Sequence, residues 1–366
     1  MTFLTVIRRN DRMRRLGKAL EKKAKAGLYS LAARNRLAPR PVSAATLDGV
    51  ERILLVRPNF RLGNALISAR LIEAFAHGRP DITVDYLGTD TTQSLFKGMP
   101  LGHYHALSRS MLLRPWRLVA LWLALRRRHY DLVIQVADSS FTGWLCTQLS
   151  GARQSVGKRG KLASSYHWVM NEPCRHAYDL PASIATPLQL PCKAAPWLQI
   201  DAEERFRAAR LLHGIAEHGA APVGVFIGGH LDKRLPLAFW QALFTALNAR
   251  RLPFLVLAGP EEQDACLALA PHLGDWGTAA PLMPLRDFAA CISLLPRLIT
   301  PDTGPMHMAA ALGIPVIALL NVETSQRFAP RGAQDRVLLY PTAAEVAECA
   351  MRETQRSPAP GLAQSA

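Results

Sequence analysis

Thr300-Pro301-Asp302-Thr303-Gly304-Pro305-Met306-His307-Met308-Ala309-Ala310-Ala311-Leu312-Gly313 decides how this chain is read. Arg297 to Thr300 reads as a short apolar strand, and the polar loop after it opens directly into a helix of small residues. Pro305 suits the first helical position, where a missing N–H costs nothing. Thr303 and Gly304 leave backbone N–H groups uncovered, and His307 falls in the first turn beside them. Such donors at the positive end of a helix dipole hold an anion, phosphate first among them. Asp and Gly could serve only as turn and cap residues. That account explains neither the histidine nor the small-residue face.

On both sides of this stretch, strands alternate with helices. Upstream lie strand Val223 to Ile227, helix Pro236 to Asn248, strand Phe254 to Ala258, helix Pro260 to Ala270 and helix Leu285 to Leu295. Helix Pro305 to Leu312 and strand Val316 to Leu320 follow. An earlier set begins with strand Arg52 to Arg57, helix Gly63 to Ala76 and strand Ile82 to Leu87. Helix Leu112 to Arg128, strand Asp131 to Val136 and a helix from Phe141 complete it. The pattern predicts an α/β fold with two parallel, doubly wound sheets and ligands at the carboxyl ends of the strands. The expected divisions are a basic extension and linker over 1–50, one domain over 51–175, a second over 176–355 and a disordered tail over 356–366. Pro39, Pro41 and the run to Thr46 read as linker, and 151–201 as a weakly periodic passage with a helix at Tyr178 to Leu190.

Four more strand ends carry chemistry. Gly228-Gly229-His230-Leu231-Asp232-Lys233-Arg234-Leu235-Pro236 lets backbone approach phosphate closely, and Lys233 can reach the same oxygens as a point charge. Gly259-Pro260-Glu261-Glu262 places carboxylates where a ribose could be held, although the helix dipole alone favours acids there. Arg57-Pro58-Asn59-Phe60-Arg61-Leu62-Gly63-Asn64 opens the first helix of the first domain. Asp138 ends another strand on the same side, either as helix cap or as catalytic base.

The 300–313 run closely resembles the signature of glycosyltransferase family 9, the heptosyltransferases of lipopolysaccharide assembly, and the resemblance in arrangement spans about residues 51 to 340. It implies the GT-B fold: two Rossmann-like domains facing a central cleft. It also implies that Asp302, Thr303, Gly304 and His307 contact the diphosphate and adjoining sugar of a nucleotide-sugar donor, ADP-heptose foremost. Gly228, Gly229 and Lys233 match the family's glycine loop and lysine, with Leu235 where tryptophan is usual. Glu261 or Glu262 matches its nucleoside-binding acid. Arg57, Arg61, Gly63 and Asn64 stand on the acceptor side. The family places a Gly-Asp pair there, whose Asp is the general base. Here Asn64 replaces it, one residue further from the strand, and no carboxylate lies between Glu51 and Glu73. An amide cannot take a proton. Asp138 is the substitute candidate, so the catalytic set is Asn64, Asp138 and Lys233, with no metal and no cofactor.

Net charge is +16, and residues 1–50 hold twelve Lys or Arg against three Asp or Glu. From Asp11 to Leu37 this leader reads as a basic amphipathic helix suited to an anionic membrane surface. Met1 to Ile7 is too short for a secretory h-region, and no run suits a membrane span. Six scattered cysteines fit a reducing, cytoplasmic compartment. Nucleic acid is excluded for want of any motif beside the charge. Gly157-Lys158-Arg159 lacks P-loop spacing, and His103 with His105 make no metal site alone. The expected function is sugar transfer, heptose first, to an anionic lipopolysaccharide-type glycolipid by a monomer at the inner face of the inner membrane. The alternative is a non-catalytic nucleotide-sugar-binding protein of the same fold in an assembly complex.

Overall fold

Parallel strands buried on both faces need continuous apolar runs, and the central strands of this chain have them. The computed structural model describes residues 37–137, 140–160, 162–170, 174–213 and 221–356. The leader helix (save Leu37), Asp138 and the tail after Arg356 lie outside the described residues.

The first half runs β1 (Arg40–Pro41), β2 (Arg52–Val56), α1 (Leu62–Gly78), β3 (Thr83–Thr89), β4 (Tyr104–Leu107), α2 (Pro115–Arg126), β5 (Leu132–Gln135) and α3 (Phe141–Leu149). Then come β6 (Gln154–Lys158), β7 (Trp168–Met170), α4 (Asp179–Ala185) and α5 (Ala202–His213). All seven strands pair in parallel, in the order β1-β7-β6-β5-β2-β3-β4. The second half runs β8 (Val223–Phe226), α6 (Leu237–Ala249), β9 (Phe254–Leu257), α7 (Gln263–Leu269), β10 (Gly277–Ala279), α8 (Leu285–Ile292), β11 (Leu298–Pro301), α9 (Gly304–Leu312), β12 (Val316–Leu320), β13 (Arg336–Leu339) and α10 (Ala343–Arg356). Its six strands are also parallel, ordered β10-β9-β8-β11-β12-β13. These are the two doubly wound sheets of the expected GT-B plan.

Strand order reverses between β2 and β5 in one sheet and between β8 and β11 in the other. The loops leaving those four strands carry most of the candidate residues. α1 and α9 pack against each other across the two halves, and one buried apolar cluster holds Leu66 and Phe75 of the first half with Met306 and Leu298 of the second.

Several local expectations need correction. Pro39 to Thr46 is not a linker: Arg40–Pro41 adds an edge strand to β7, and Val42 and Leu47 are buried. The passage over 151–201 contains two strands, β6 and β7, hidden by their polar and aromatic composition. The helix from Leu112 starts only at Pro115, after a 3₁₀ turn at Arg109–Leu113, and that from Tyr178 stops at Ala185. Pro260–Glu262 is a 3₁₀ turn ahead of α7. All six cysteines are free.

Candidate functional site

At the end of β11, α9 starts at Gly304, one residue earlier than read, with Pro305 second. Thr303 is the N-cap residue, yet its side chain does not cap the helix. Its hydroxyl turns back to the Pro301 carbonyl at 3.1 Å and to Thr300 Oγ1 at 3.1 Å. No Thr303 oxygen therefore competes with an anion at the helix start.

Asp302 is buried and pairs with Lys233, which the loop after β8 delivers from 69 residues away. Lys233 Nζ also stands 5.6 Å from the centre of the Phe328 ring, with Arg327 at 5.2 Å from the same ring. Two cations thus share one aromatic ring beside His307 in the first turn of α9. Gly229 permits this loop: a Cβ there would lie 2.7 Å from Arg234 Cα. Gly228 packs against the Phe226 ring and the Glu262 carboxyl, both closer than a Cβ would allow.

The structure separates the two glutamates. Glu262 is buried under the glycine loop and accepts from the Gly259 amide at 3.1 Å. Burial raises its pKa above the ordinary carboxylate value, and the Gly259 amide offsets part of that rise. Glu261 is exposed, on the wall of a cavity of about 530 Å³ shared with Arg234, Leu235 and Trp240.

His307 is buried rather than open to the cleft. Tyr178 Oη lies 2.9 Å from its Nδ1, and Asp302 Oδ1 lies 3.9 Å from its Nε2. A Cβ on Gly63 would come within 2.1 Å of His307 Cδ2. The ring therefore braces the start of α1 against the start of α9. Burial pushes its pKa down to about 4; Asp302 pulls it up and Lys233 pushes it further down. Between pH 6.5 and about 4 the unfolded chain takes up a proton here that the folded chain refuses. Stability from this group is full above pH 6.5 and falls as the pH falls, by about 3 kcal/mol across the window. Burial shifts His176 and His167 the same way. Urea unfolding at about pH 7 and about pH 4 should show a smaller acid loss for His307→Gln than for the native protein. Equal losses would remove His307 from the account.

On the facing side, Asn64 and Arg57 line a cavity of about 240 Å³ with Pro58, Asn59, Ile67, Ala137, Ser140, Cys174, Ala177, Leu180, Arg327 and Phe328. Phe328 joins it to the Lys233–Asp302 pair. None of these described residues is a carboxylate. Ala137 and Ser140 flank Asp138 in sequence and both line the cavity. Arg61 is exposed at the N-cap of α1, which like α9 lacks a side-chain cap. Tyr178, Arg327 and Phe328 were not foreseen; they arrive on connecting segments with no motif to mark them. Among the described residues, no three His, Cys, Asp or Glu stand close enough to hold a metal ion.

Comparison with known structures finds the same fold in a glycosyltransferase of family 9 from Veillonella parvula, with TM-score 0.73 and 18% identity, over 84% of this chain and 98% of that one. The E. coli heptosyltransferase WaaC with ADP gives 0.66 and 19%, over 82% and 99%. The E. coli ADP-heptose lps heptosyltransferase II gives 0.66 and 18%, over 84% and 99%. No curated protein sequence matches. The sequence model of glycosyltransferase family 9 (heptosyltransferase) matches residues 118–356, which takes in the glycine loop, both glutamates and the whole 300–313 run. With that match and this site, the chain belongs to glycosyltransferase family 9.

Proposed function

We propose that the protein transfers a sugar, heptose before any other, from a nucleoside-diphosphate donor to a hydroxyl of an anionic, lipopolysaccharide-type glycolipid, inverting the anomeric centre without a metal ion. The observation that carries this reading is the meeting of Lys233 and the uncapped start of α9 beside the cavity bounded by Arg57 and Asn64. The similar E. coli heptosyltransferase WaaC is solved with ADP, which supports a nucleoside-diphosphate donor.

In this reading the acceptor oxygen attacks the anomeric carbon while the bond to the diphosphate breaks. Negative charge grows on the leaving diphosphate. Lys233 and the N–H groups of α9 meet that charge, the kind of stabilisation that usually contributes most to catalysis. Glu261, exposed on its cavity wall, takes the ribose hydroxyls. Glu262 holds the loop in shape. Arg57 and Arg61 face an anionic acceptor, and Asn64 orients it. Asp138 receives the proton. The setting is the cytoplasmic face of the inner membrane, with the protein acting as a monomer.

Asn64, standing where the family has its base, favours the second reading of a non-catalytic nucleotide-sugar-binding protein. A panel of nucleotide sugars, with release of nucleoside diphosphate as the readout, separates the two. Slow release from ADP-heptose, accelerated by a glycolipid acceptor, is expected. Tight binding with no release from any donor selects the second reading, and no binding at all rejects both.

A further inference from the structure

Helix α2 breaks the rule that an apolar helix is covered. Leu118, Leu121, Trp122 and Leu125 form its inner stripe, with Leu121 and Leu125 packed on Leu54, Val56, Leu87 and Val133 of the first sheet. Its outer stripe is also apolar: Trp116, Val119 and Leu123 recur at helical spacing, with exposures of 64%, 49% and 43%. Leu113, just before the helix, is 68% exposed. Among the described residues nothing covers this face. A helix apolar all round belongs inside something, and patches of this kind mark contact surfaces.

The charge says which contact. From Thr91 to Tyr130 there is no Asp or Glu, while Lys97, Arg109, Arg114, Arg117, Arg126, Arg127 and Arg128 fall within it. Arg114 and Arg117 stand exposed at one end of the outer stripe, and Arg126 and Arg127 at the other. A tryptophan-bearing apolar stripe fringed by arginines has the chemistry of a helix lying in the plane of an anionic bilayer, where long cationic side chains reach the headgroups. A second copy of this chain would bring arginines against arginines. We infer that the outer face of α2 docks the protein on an anionic phospholipid surface. The position suits the acceptor side: Arg109, the first residue of the turn before α2, stacks over Phe60 at 4.3 Å, within the loop that leads to Asn64. A lipid-anchored acceptor would thus enter beside the loop that receives it. Only this last benefit rests on the transfer reading; docking itself requires neither donor nor acceptor.

The test uses the full chain, with its basic leader, and vesicles of phosphatidylcholine with phosphatidylglycerol. Trp116→Glu/Leu123→Glu alters two exposed side chains and should weaken vesicle binding at least about tenfold. Vesicles of brominated lipid should quench native fluorescence, and Trp116→Phe should abolish most of that quenching. Vesicle binding unchanged in the double variant, with no quenching that depends on Trp116, would overturn the inference. So would a native dimer that the double variant converts to monomer, or a Trp116 already shielded from aqueous iodide before vesicles are added. Nucleotide-sugar turnover measured on a soluble acceptor reports separately on the transfer reading.

Discussion

Asp138→Asn should lower sugar transfer by roughly 10²–10⁴-fold, the usual worth of a general base. The argument starts from a missing carboxylate. The described residues lining the cavity beside Lys233 include two arginines, two asparagines and a serine, but no acid. A neutral hydroxyl acceptor must lose its proton as the new bond forms, and Asn64 cannot accept it. Asp138 lies in sequence between Ala137 and Ser140, both on the cavity wall. Asn64→Asp should restore a carboxylate at the family's position and raise transfer to a neutral hydroxyl, including in the Asp138→Asn background. A native rate untouched by Asp138→Asn would discard that residue. If rescue by Asn64→Asp failed as well, the acceptor would be one that arrives already ionised.

Lys233→Ala should weaken binding of ADP by about 1.5–3 kcal/mol, the scale of a hydrogen bond to a charged group. Transfer should fall by roughly 10²–10³-fold, as when one donor to a developing anion is removed. The structure adds a second consequence. Asp302 is buried with Lys233 as its partner, so the same substitution leaves a buried carboxylate unpaired and lowers the melting temperature. Lys233→Ala/Asp302→Asn should regain the stability without regaining the affinity. Calorimetry showing native ADP affinity in Lys233→Ala would end the phosphate assignment. Loss of affinity that returned with stability in the double variant would reduce Lys233 to a structural role.

How much of this was legible beforehand follows from what each element buries. Arg52–Val56, Val223–Phe226 and Val316–Leu320 lie at or near sheet centres, buried on both faces, and their unbroken apolar runs announced them. Strand β1 is only Arg-Pro, β10 is Gly-Thr-Ala, and β13 alternates in burial because it closes an edge. Nothing local marks such strands; the neighbouring strand makes them. The candidate anion site was legible because each of its loops carries its glycines and polar residues together at a strand-to-helix turn. The tie between Lys233 and Asp302 was not, since both were expected to contact one nucleotide-sugar donor and their mutual contact spans two loops. Tyr178 was read only as the first residue of a helix. Its hydroxyl on His307 depends on how the halves pack, which no local pattern encodes.

The contact between Gly63 and His307 has a mechanical consequence. The Cα of Gly63 and the imidazole already touch, with no side chain between them to compress, and Leu62 rests on Gly304 just beside them. The halves of the molecule meet there as on a bearing. A bearing bars further approach along its own line but permits rolling. The starts of α1 and α9 therefore have no slack to approach one another further at this point. The loops leaving β2 and β11, which open into α1 and α9 at this contact, are thereby held at a fixed separation.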